Sequence, residues 1–108
     1  KMSEIFKPQI IYCFCHNGNK YIGSTTDFKM RMHAHNQHRK QERHNKCKFY
    51  KYLNENNITD IRPFTTELYS TAEQEITWDK HTLRCLEQGY INDLEPNLNM
   101  IKAVKTFI

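Results

Sequence analysis

The longest apolar run, Ile10-Ile11-Tyr12-Cys13-Phe14-Cys15, is rich in β-branched and aromatic residues and predicts a strand over Gln9 to Cys15. Asn17-Gly18-Asn19 follows, then a second strand-like run, Lys20-Tyr21-Ile22-Gly23. Two such runs joined through Asn-Gly predict a hairpin, because these residues tolerate the positive φ of tight hairpin turns. Gly23-Ser24-Thr25-Thr26-Asp27 then offers N-cap oxygens ahead of a helical pattern in which Phe28, Met32 and His35 recur. Arg31 stands four residues before His35, so the two share a helix face. A short helix is expected over Cys47 to Asn56, with Phe49, Tyr52 and Leu53 facing inward. Partial alternation from Ile61 to Tyr69 (Phe64, Thr66, Leu68) reads as a third strand entered past Pro63. A long helix is expected from about Thr71 to Leu94, with Leu83, Leu86, Tyr90 and Leu94 as its apolar stripe and Pro96 as its stop. The order strand, strand, helix, helix, strand, helix describes an α+β domain with a small, mainly antiparallel sheet. Repeats, low-complexity tracts and linkers are absent from the sequence. A single domain over residues 1–108 with its core at about 9–99 is the expectation, Lys1 ahead of Met2 reading as an added residue.

Composition narrows the class. With 38% hydrophobic and 12% aromatic residues, 108 residues support one core built on Tyr and Phe. No apolar run approaches the roughly 18 residues of a membrane span, and no charged-then-apolar leader is visible. An intracellular protein is expected, without a choice between nucleus, cytoplasm and virus-associated. The four cysteines include no Cys-x-x-Cys, so reduced, mostly buried thiols are expected, with Cys13 and Cys15 on one strand face. A zinc site from Cys13, Cys15, His16 and a distant ligand is a rival reading with poor spacing. The formal net charge is +4, and most of it is concentrated: Lys29 to Lys51 holds eight Lys or Arg, four His and one acid, Glu42.

Three features exceed a plain scaffold. Glu87 falls among the apolar stripe of the last helix, and a buried carboxylate must be paired, protonated or cation-bound. Tyr12 and Tyr21 lie on facing strands of one hairpin, and Arg31 with His35 lies on the helix that leaves it. Taken singly, each has an ordinary reading: a satisfied Glu, cross-strand packing and a solvated helix face.

Together, Ile10-Ile11-Tyr12, Tyr21-Ile22-Gly23, Arg31, His35, Glu87 and Pro96-Asn97-Leu98-Asn99 resemble the GIY-YIG nuclease superfamily, from about Gln9 to Asn99. The resemblance implies a small three-stranded antiparallel sheet flanked by helices. It also implies a metal-dependent DNA endonuclease that leaves 5′-phosphate and 3′-hydroxyl ends. In that reading Tyr12 activates the attacking water as general base, and Tyr21 holds the water or the scissile phosphate. Arg31 clamps the phosphate, His35 assists in proton relay or phosphate contact, and Glu87 binds a single Mg²⁺ or Mn²⁺. Asn99 orders the site from the end of the matched segment. Arg31 and the metal are expected to lower the tyrosine pKa by favouring phenolate. Ile10 stands where the first motif has Gly, which predicts altered strand packing rather than lost chemistry. Lys29, Arg39, Lys40, Arg43, Lys46 and Lys48 are the candidates for following a DNA backbone, with Asn99 a further candidate nucleic-acid contact. A separate DNA-targeting domain or partner is compatible with this reading. The alternatives are a nucleic-acid-binding module of the same fold without catalysis, and the structural zinc module.

Overall fold

The computed structural model describes residues 7–100; positions 1–6 and 101–108, including Lys1 and Met2, lie outside the described residues. Strands β1 (Ile10–His16), β2 (Asn19–Thr25) and β3 (Thr65–Ser70) form one antiparallel sheet in the order β2-β1-β3. The β1–β2 turn is Asn17-Gly18, both at positive φ (50° and 81°), which is the geometry that predicted the hairpin. β1 is central, and alternation along it sends its side chains to two separate cores.

On one face, Ile10, Tyr12 and Phe14 pack with Met32 of α1 (Phe28–His38) and Phe49, Tyr50 and Leu53 of α2 (Lys48–Glu55). On the other, Ile11, Cys13 and Ile22 pack against Leu83, Leu86, Tyr90, Ile91 and Leu94 of α3 (Lys80–Leu94). Ile10, at the motif's Gly position, is buried in the first of these cores. α1 begins at Asp27, whose carboxylate accepts from Met30 N–H at 3.1 Å.

Several expectations need correction. α3 starts at Lys80, not near Thr71. The chain makes one turn, with Glu75 N–H donating to Thr71 O, then breaks at left-handed Glu75 (φ 51°). Trp78 is stitched to the Gln9 side chain through both its N–H and its carbonyl (2.8 Å each), and Asp79 then caps the helix by accepting from Thr82 N–H at 2.7 Å. β3 starts at Thr65 rather than Ile61, because Pro63 sits inside a 3-10 turn over Arg62–Phe64. On α2, Tyr50 is more deeply buried than Tyr52. The four cysteines are free, but only Cys13 is buried; Cys15 and Cys85 are exposed and Cys47 is half-buried.

β2 would be an open edge. Its outward backbone groups are instead met by the Pro96–Asn99 segment, which the left-handed C-cap of α3 at Glu95 (φ 47°) turns back towards the strand. Lys20 N–H donates to Asn97 Oδ1, Leu98 N–H to Lys20 O, Ile22 N–H to Asn99 Oδ1 and Asn99 Nδ2 to Ile22 O, all at 2.8–2.9 Å. The two asparagine amides thus do for β2 what a neighbouring strand would do.

Candidate active site at the edge of strand β2

Tyr12 and Tyr21 are not paired across the hairpin. Tyr12 faces Gly23 and Phe14 faces Tyr21, so the tyrosines are diagonal neighbours with ring centroids 6.4 Å apart. Tyr21 lies parallel on Phe49 at 4.2 Å, which fixes its ring. Gly23 is required by space: a Cβ there would stand 2.5 Å from Tyr12 Oη.

Arg31 and His35 share the face of α1 turned to this pair, as expected. The half-buried Arg31 guanidinium acts on both the Tyr12 and Tyr21 hydroxyls, favouring the charged form of each. Burial works against its charge, but the hydroxyls of Tyr12, Tyr21 and Tyr50 outweigh burial and raise its pKa. His35 is fully enclosed, with Nε2 2.7 Å from Tyr12 Oη and Nδ1 2.7 Å from Tyr50 Oη. Burial, then Arg31, then His38 drive its pKa down to about 3, so His35 is neutral near pH 7. His33, off that face, is exposed beside Asp27, Lys29, Met30 and Arg62.

Two features of Tyr12 bear on its expected role as general base. It has no exposed surface, whereas Tyr21 is half-buried. Its pKa is also raised well above a phenol's ordinary value. Burial and repulsion from Tyr21 exceed the lowering by Arg31. Tyr21 is shifted in the same direction, again by burial first, with Arg31 opposing.

Glu87 approaches from the opposite face of the sheet. Ser24 Oγ donates to its Oε1 at 2.9 Å; Ser24 lies two residues beyond Ile22 and so points to the same α3 side. Burial raises the Glu87 pKa, while Ser24 and Arg84 lower it. The two half-sites meet beyond the β2 edge, in a cleft of about 280 Å³ lined by Tyr21, Ile22, Cys47, Glu87, Leu98, Asn99 and Met100. Asn99 belongs to this wall, its amide spent on Ile22.

A divalent oxygen-seeking cation fits the donor set in one way. Among the described residues no three His, Cys, Asp or Glu side chains converge, so a protein-only cage is not formed. Glu87 supplies the carboxylate on the cleft wall, and a half-buried carboxylate with a raised pKa is stabilised by a cation. Mg²⁺-type sites complete their shell with waters and substrate phosphate. The zinc reading does not assemble: Cys13 is buried under α3, and His16 Nδ1 is bonded to Tyr52 Oη at 2.6 Å.

The basic residues divide. Lys29, Lys40, Arg43, Lys46 and Lys48 are exposed. Arg39 instead ties α1 to α2, with Nη1 donating to Asn54 Oδ1 and its carbonyl accepting from Asn54 Nδ2. Arg43 donates to Gln41. Ser24 and Tyr50 were not singled out in the sequence. Strand alternation with Ile22 could have placed Ser24, whereas Tyr50 carries no local signal of its role.

A family model described as the GIY-YIG catalytic domain matches residues 8–99. No curated protein and no solved structure matches the chain.

Proposed function

The chain belongs to the GIY-YIG catalytic-domain family, which generally comprises endonucleases that are typically divalent-metal dependent, and from that premise we propose that it hydrolyses DNA phosphodiester bonds. The observation that carries this is the meeting of Tyr21 and Glu87 across one cleft, with the Arg31 cation acting on the hydroxyls of both motif tyrosines.

A scissile phosphate seated there lies near Arg31, the cation that acts on both phenols, which offsets the charge developing on phosphorus. Tyr21 orients the attacking water through its hydroxyl, and Arg31 is already placed to favour its phenolate. Tyr12, lying beneath, presents its hydroxyl to Arg31 and shares a hydrogen bond with His35 Nε2. Glu87, steadied by Ser24, would hold a single Mg²⁺ or Mn²⁺, and that cation would supply polarisation of the phosphate and of the leaving 3′ oxygen. In-line displacement leaves 5′-phosphate and 3′-hydroxyl ends. The exposed lysines flanking α2 and the end of α1 follow the backbone outside the cleft.

The test is cleavage of supercoiled plasmid and branched DNA with Mg²⁺, Mn²⁺ or EDTA, beside Glu87→Ala. Cutting is expected to need both the metal and Glu87, with Glu87→Ala at least about a hundredfold slower. Parent-like cutting by Glu87→Ala removes the metal assignment. Salt-sensitive binding without cutting makes the chain a binding module of this fold.

A further inference from the structure

The hydrogen bonds at Tyr12 do not end at His35. Tyr50 Oη, 2.7 Å from His35 Nδ1, is also 3.4 Å from Nδ1 of His38, a partly exposed residue in the last turn of α1. Tyr12, His35, Tyr50 and His38 therefore form one chain from the buried site to the surface.

Its direction follows from charge. The Arg31 cation acts on the Tyr12 hydroxyl, and a guanidinium has donors only. The Tyr12 hydroxyl therefore turns a lone pair to Arg31 and gives its own proton to His35 Nε2. His35 then carries its proton on Nδ1 and donates to Tyr50 Oη. Tyr50 in turn donates to His38, whose Nδ1 must be bare and whose proton sits on Nε2.

We propose that Tyr50 and His38 are positioning residues that fix this direction, so that Tyr12 presents a lone pair, and not a proton, to Arg31. A proton gained by His38 on Nδ1 sets a donor against the Tyr50 hydroxyl. The Tyr50 proton then keeps an acceptor in the chain only if every hydrogen bond in it inverts. Inversion makes His35 a donor to Tyr12 and takes away the acceptor of the Tyr12 proton. That proton then faces Arg31 in place of a lone pair, and the phosphate clamp loosens.

The surroundings of His38 keep it neutral near pH 7. The His44 ring stacks on it at 4.6 Å, Tyr50 meets it edge-on, Arg31 lies on its own helix, and Arg43 comes from the adjoining 3-10 turn. Burial, His44 and the two arginines all lower its pKa. Acid is thus the condition that inverts the chain.

The effect on cutting rests on the nuclease reading; the tautomers do not. The first measurement is ring ¹⁵N NMR of the whole chain near pH 8. His35 with its proton on Nδ1 and His38 with its proton on Nε2 is the expected pair, and His35 protonated on Nε2 overturns the proposal. The second is the pH dependence of plasmid cleavage for the parent, Tyr50→Phe and His38→Gln, a residue that cannot titrate. The acid limb of the parent should coincide with the His38 titration seen by NMR and be absent from His38→Gln. Tyr50→Phe should cut about tenfold more slowly at every pH, below the range of direct acid–base contributions because it acts through His35. An acid limb unchanged in His38→Gln overturns the positioning role. Absence of cutting by the parent itself counts against the nuclease reading, and the tautomers then decide the chain alone.

Discussion

A Cβ atom at position 23 would stand 2.5 Å from Tyr12 Oη and 2.7 Å from Cζ, so Gly23 is reserved by the ring across the ladder and not by its own backbone. Gly23→Ala must push Tyr12 off Arg31 and His35. The expected result is an overpacking loss of about 1–3 kcal/mol in urea unfolding and at least a tenfold loss of cleavage. Activity should fall further than the lost stability accounts for. His35 makes a second prediction at this scale. Its folded pKa of about 3 lies below the ordinary 6.5, so the unfolded chain binds that proton more readily. The contribution is fully present above about pH 6.5 and is lost as pH falls towards about 3. Urea midpoints measured across that window should decline, and His35→Gln should flatten this part of the decline. Motif spacing made Tyr12, Tyr21, Arg31, His35 and Glu87 legible in the sequence, since each sits at a fixed place on a strand or helix. The inaccessibility of Tyr12 was not legible. It depends on Gly23, Phe28 and His35 closing around one ring, a property of packing and not of spacing.

At the scale of elements, the outer edge of β2 is completed by two asparagine amides instead of a fourth strand. Removing one should act locally. Asn99→Ala leaves Ile22 N–H without its partner, so that amide should exchange with deuterium at least tenfold faster while Cys13 and Phe14 amides keep their protection. Unchanged exchange at Ile22 would mean that water replaces the asparagine without loss. The same scale shows what local pattern can and cannot reveal. The hairpin was readable because Asn17 and Gly18 carry its turn geometry within themselves. The start of α3 was not. Thr71 resembles a cap and does begin a turn, but Gln9, far away in sequence, holds Trp78 extended, and Asp79 then caps the helix that forms.

Across the whole molecule, the sheet separates the reacting groups by face. Tyr21, Arg31 and His35 belong to the α1/α2 side and Glu87 to the α3 side, and of these Tyr21 and Glu87 line one cleft past the β2 edge. The positive charge lies on the α1/α2 side and in the connection between those helices. DNA affinity should therefore fall steeply with salt, and replacing Lys46 and Lys48 by Ala should flatten the log–log slope by about 2, at roughly 0.9 for each phosphate that is no longer neutralised. Titrations at several salt concentrations check this, and a slope unmoved by the double replacement would place the DNA elsewhere. The wall of the cleft has one more consequence, which concerns time. Synthesis proceeds from the first residue to the last, and Leu98, Asn99 and Met100 emerge after every other residue of the site. A growing chain that has already folded its hairpin and α1 still lacks one side of the cleft, and its β2 edge is still bare. Under the proposed function, catalytic competence therefore arrives only once Met100 has emerged, later than the hairpin and α1 can fold.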